Sequence, residues 1–215
     1  MPPAYLTAGP ADAAARFLFA HGAGAGMETS FMEAIARLLA ERGIATLRFE
    51  FGYMAARRSG GSRKPPPRAE RLMDEYRAAV AGVPEGAPLL IGGKSMGGRV
   101  ASMVADELNA KAAVAGLVCL GYPFHPPNKP EQLRTAHLQA LVCPTLIVQG
   151  ERDPFGRRDE VEAMQLSPVI RYHWAGDGDH DLGPRGGSGF TRKANLAAAA
   201  DAVAQFAGEL VGKAP

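Results

Sequence analysis

Pro88-Leu89-Leu90-Ile91-Gly92-Gly93-Lys94-Ser95-Met96-Gly97-Gly98-Arg99-Val100 is the stretch that decides the fold. An apolar run enters a glycine-flanked turn. Val100, Met103, Val104 and Leu108 then recur at helical spacing. Gly93-Lys94-Ser95-Met96-Gly97 therefore matches G-x-S-x-G between a strand and a helix, the context that gives the motif meaning. A serine on such a sharp turn stands clear of the sheet. Small flanking residues let the two backbones approach. The first free N–H groups of the helix face the reacting centre. Ser95 is the candidate nucleophile.

Working outward, the same alternation of apolar strand and amphipathic helix fills the chain. Strands are expected at Phe17–Ala20, Ile44–Phe49, Pro88–Gly92, Ala113–Leu120, Thr145–Gln149 and Val169–Trp174. Helical stripes are Phe31, Met32, Ile35, Leu38 and Leu39, then Leu72, Met73, Tyr76 and Val80, then Leu196, Ala200, Val203, Phe206 and Leu210. Ser30 with Glu33 reads as a capping box for the first of these, and Gly43 as its stop. A mostly parallel sheet of about six strands with helices on both faces follows. The Gly52–Arg68 stretch, which holds Arg57, Arg58, Arg63, Lys64 and Pro65-Pro66-Pro67, reads as irregular. A single helix is expected over Glu131–Leu141.

The chain has 215 residues, 47% hydrophobic, and forms one expected domain over 1–215. Its 24 Lys plus Arg nearly balance 22 Asp plus Glu, which argues against a nucleic-acid binder. The most apolar run, Ala112–Leu120, is far below the roughly 20 residues of a membrane span. Cys119 and Cys143 read as buried, reduced thiols. The N-terminus has no leader pattern, so a cytoplasmic chain is expected. No metal or cofactor is called for.

A serine nucleophile needs a base and an orienting carboxylate. Chain order selects His180, in Asp177-Gly178-Asp179-His180-Asp181, as the base. Asp153 follows the strand Thr145–Gln149 and is the carboxylate, with Glu151 competing. Asp177, Asp179 and Asp181 suit loop capping. An oxyanion needs two N–H donors. Met96 supplies one. The other comes from the glycine-dense loop after the first strand, with Ala23 ahead of Gly24. His21 suits bracing that loop. Gly24, Tyr53, Tyr122, His125 and Phe155 follow strand ends and are the expected substrate-binding residues. The basic 52–71 stretch reads either as recognition of an anionic substrate group or as a solvated face balanced by Glu70, Asp74 and Glu75. The second is preferred.

Five segments, HGAGAGM, GGKSMGGR, GYPFHPP, GERDPFG and DGDHDL, together resemble compact α/β hydrolases. That family is related to the dienelactone hydrolases, and its lineage includes testis-expressed protein thirty and NSL-complex subunit three. The resemblance implies an α/β-hydrolase fold and the order Ser95, Asp153, His180. It implies no substrate. Only 16 residues precede the first clear strand, so the first two strands of full-length members look vestigial. The span from Gly121 to Cys143 leaves no room for a cap domain. The expected function is a serine hydrolase of small soluble carboxylic esters or thioesters. A catalytically silent scaffold that binds a protein partner is the main alternative. A dinucleotide-binding oxidoreductase is a further one, drawn from Gly22-Ala23-Gly24-Ala25-Gly26 and Glu50, although Met27 stands where a third glycine belongs.

Overall fold

A computed structural model describes residues 3–60 and 65–212. The runs that read as strands on apolar content form a sheet of seven strands. These are β1 (Leu6–Ala8), β2 (Ala15–Ala20), β3 (Ile44–Phe49), β4 (Leu89–Lys94), β5 (Gly116–Leu120), β6 (Thr145–Gly150) and β7 (Ile170–Ala175). They lie in the order β1-β3-β2-β4-β5-β6-β7. All neighbours are parallel except β1, which runs antiparallel to β3 with Leu6 opposite Arg48. β1 is the strand that sequence reading missed. Three residues are too short to show a period. β5 starts at Gly116, later than expected, because Ala112 has φ +54° and Ala113 N–H donates to Leu108 C=O, closing the preceding helix.

The helices are α1 (Ser30–Ala40), α2 (Gly52–Arg58), α3 (Met73–Ala81), α4 (Met96–Ala110), α5 (Arg158–Glu162) and α6 (Arg192–Val211). The sheet divides the core in two. Phe17, Phe19, Leu90 and Val118 pack against α1 and α6 on one face. Leu18, Ile91, Leu117 and Cys119 pack against α3 and α4 on the other. Strands covered on both faces explain the continuous apolar runs.

Three local expectations change. Thr29, one residue before the expected cap, caps α1 by accepting from Met32 N–H. The stretch expected to be irregular from Gly52 contains α2, whose N-terminus is capped from a distance: Glu75 accepts from Gly52 N–H at 2.6 Å. Arg63 and Lys64 lie outside the described residues. The expected helix over Glu131–Leu141 is only a 3₁₀ turn at Ala136–Leu138. Its backbone bonds go outward instead of along a helix. Arg134 N–H donates to Phe124 C=O, and Ser167 N–H donates to Leu138 C=O. Among the described residues, no helix is long and apolar enough to cross a membrane.

Candidate active site

The turn from β4 into α4 sets Ser95 at φ +51° and ψ −116°, a backbone region that costs a non-glycine residue about 1–3 kcal/mol. The surrounding glycines make that turn sterically feasible. A Cβ on Gly97 would stand 2.6 Å from His21 O and 2.7 Å from Ala20 O, and one on Gly93 would stand 2.6 Å from Ala20 O. Any side chain there would push α4 off the first strand–helix loop.

That loop, from His21 to Thr29, is fastened by four side chains. His21 Nε2 accepts from Phe51 N–H at 3.1 Å, so the ring proton sits on Nδ1 and is donated to Gly22 C=O at 2.6 Å. Burial lowers the His21 pKa and favours this neutral tautomer. Tyr53 O–H donates to Ala23 C=O at 2.9 Å. Glu50 accepts from Met27 N–H, and Arg48 donates to Met27 C=O at 3.0 Å. Glu50, from which the dinucleotide-binding alternative was partly drawn, thus lies against the loop itself. A Cβ on Gly26 would meet its Oε1 at 2.3 Å.

Across the sheet, Asp153 follows β6 and is fully buried. Its Oδ1 accepts from Phe155 N–H at 2.9 Å. Its Oδ2 accepts from Gln149 Nε2 at 2.9 Å and from His180 Nδ1 at 2.8 Å. With Nδ1 donating, Nε2 of His180 is the ring nitrogen left for a proton from a reactant. Glu151 makes other contacts, accepting from Asp177 N–H and pairing with Arg158. Asp177 ties its loop to Arg185 and Arg152. Hydrogen bonds from Arg185, first from its side chain, hold the Asp177 carboxyl down at about 2. Asp179 accepts from the N–H groups of Asp181 and Gly183.

Two clefts meet at Ser95. One, of about 360 Å³, is lined by Gly22, Ala23, Gly24, Lys94 and His180. The other, of about 580 Å³, is lined by Ala23 and Met96. Phe155 lines both, its ring centroid 4.4 Å from that of His180. Tyr53 acts on the loop through Ala23, as described. Tyr122 and His125, expected on the pocket wall, line neither cleft and are buried. Tyr122 O–H donates to Arg134 C=O, and His125 Nδ1 lies 2.8 Å from Pro126 O.

Two residues of the site escaped sequence reading. Gln149 joins loops by accepting from Tyr122 N–H at 2.7 Å while its amide nitrogen donates to Asp153. Lys94, the variable position before the serine, is buried. Its Nζ donates to His180 C=O at 2.7 Å and lies 3.2 Å from Asp181 Oδ1, with the Phe31 ring beneath it. Burial lowers its pKa against the pull of Asp181. Lys94 thereby links the serine turn to the His180 loop. Its position inside the motif was the only available signal.

The family model described as "Alpha/beta hydrolase domain" matches residues 13–208. Solved structures share the fold. A dienelactone hydrolase from Anabaena variabilis has TM-score 0.67 at 23% identity, over 94% of this chain and 88% of that one. Est1E from Butyrivibrio proteoclasticus, with ferulic acid bound, has TM-score 0.68 at 16% identity, over 97% and 95%. XC6422 from Xanthomonas campestris, described as an α/β serine hydrolase without lid, has TM-score 0.58 at 18% identity, over 84% and 87%.

Proposed function

The chain belongs to the alpha/beta hydrolase domain family, and from that membership we propose that it is a serine hydrolase of small carboxylic esters or thioesters. The resemblance of its five motifs supports, on this reading, a membership in the lineage of testis-expressed protein thirty and NSL-complex subunit three. The observation that carries the proposal is the pairing of two features in one cleft: a serine at positive φ, and a histidine whose far nitrogen is held by a buried aspartate.

His180 Nε2 takes the Ser95 proton as Oγ bonds to the acyl carbon. The carbonyl oxygen becomes an oxyanion held by the N–H groups of Met96 and Ala23. As the carbonyl re-forms, the bond to the leaving group breaks and His180 returns the proton to it. Water, deprotonated by the same nitrogen, then releases the acid and regenerates Ser95. Asp153 holds Nδ1 of the ring and stabilises the imidazolium. Each oxyanion donor contributes about 10²–10³ in rate. The short segment between β5 and β6 supports access for soluble substrates without an interfacial lid.

Fluorophosphonate labelling read by intact mass tests this. One adduct is expected on the wild-type protein, absent from Ser95→Ala and slowed in His180→Ala. Folded wild-type protein that takes no adduct would overturn the proposal and favour a scaffold that binds a protein partner.

A further inference from the structure

We propose that the 580 Å³ cleft beside Met96 is an anion subsite, and that the ester or thioester turned over here carries a carboxylate remote from its scissile carbonyl. This rests on the hydrolase reading above. Among the described residues, the cleft is lined by Arg68, Arg99 and Arg134, with Glu70 as its one acidic lining residue, alongside Ser95 and Met96. Among the described residues, three guanidinium groups against one carboxylate give an excess of two positive charges at the wall of the cavity that contains the serine.

The arginines arrive there for different reasons. Arg99 lies four residues after Ser95, on the same face of α4, and helical side chains lean toward the N-terminus. Its Nη2 donates to Glu70 at 2.7 Å, while its Nε is buried without an acceptor among the described residues. A buried charged donor left unmatched is costly, so the Arg99 guanidinium gains from added negative charge at the cleft wall. Arg134 comes from the loop over α4 that failed to become a helix. Burial first, and the charge of Arg99 second, oppose the charge on Arg134, which marks two like charges held close. Arg68 closes the proline-rich stretch.

Two of the three acids expected to balance the 52–71 stretch act elsewhere. Glu75 caps α2, and Asp74 pairs with Arg77. In the other cleft, Lys94 is bound to Asp181 and the His180 carbonyl. A planar guanidinium suits a carboxylate. A cavity of this size holds a half-ester of a short dicarboxylic acid.

Titration calorimetry with monomethyl glutarate tests the proposal on Ser95→Ala protein, which cannot turn it over. Binding is expected, with none for methyl pentanoate. Adding Arg134→Gln should weaken binding roughly 10- to 100-fold, the loss of a charge-assisted pair. Adding Glu70→Gln should tighten it, because the competing carboxylate is gone. Thermal unfolding checks that each variant folds. Failure of monomethyl glutarate to bind, or equal binding with and without Arg134, would overturn the subsite. Fluorophosphonate labelling of the parent reads the hydrolase separately. A labelled serine without glutarate-ester binding sinks the subsite alone, and an unlabelled serine with binding sinks the hydrolase alone.

Discussion

The two sides of Ser95 are built from different material. On the β2–β4 side, the loop from His21 and the turn around the serine present backbone. Glycines at 93 and 97 admit main-chain carbonyls at distances no side chain tolerates. On the β6–β7 side, the work is done by side chains: Asp153, Gln149 and His180, joined to the serine turn by Lys94. Backbone geometry of the first kind is written in glycine spacing and survives most exchanges at the positions between. A side-chain network of the second kind is as strong as its least replaceable member.

The largest effect should fall on the side-chain half. Asp153→Asn keeps the shape but allows the opposite His180 tautomer, with the ring proton on Nε2 instead of Nδ1. Ester hydrolysis should fall about 10⁴-fold with little change in folding. Steady-state kinetics beside thermal unfolding checks this. Full activity in Asp153→Asn would mean that another group orients the histidine.

Breaking the backbone half should cost stability first. Gly97→Ala places a methyl against the carbonyls of Ala20 and His21. Overpacking of this kind costs about 3 kcal/mol, a melting drop of roughly 6–12 °C for a chain this long. A melting point unchanged in Gly97→Ala would show that the turn has slack, and the contrast between the halves would fail.

The smallest effect sharpens the comparison where a side chain serves the backbone half. Burial holds His21 below its ordinary value of 6.5 in the folded chain. The unfolded chain therefore binds the extra proton. The His21 contribution to stability is complete above 6.5 and drains as pH falls through that value. His137 and His173 are lowered too, both chiefly by burial, and add the same sign. Denaturant midpoints should drop more between pH 7 and pH 5.5 in the wild type than in His21→Asn. Equal slopes would show that His21 is not a source of the acid sensitivity.

Much of this molecule is legible in its sequence. β3 has the boundaries its apolar run suggested, and the serine turn lies where its glycines do. Such features depend on residues within a few positions of one another, so local periodicity and sterics encode them. Ser95, Asp153 and His180 each follow a strand of their own, β4, β6 and β7, as their places in the sequence suggested.

Tertiary structure alone decided what depends on partners far along the chain. Glu75 caps a helix that begins 23 residues earlier. Tyr122 and His125 follow a strand end, as pocket residues often do, yet packing buries them. Arg99 and Arg134 look like ordinary surface charges in sequence and share one wall with Ser95 only because a loop folds back over α4. Which charges meet is set by the closing of long loops, and no local pattern records it.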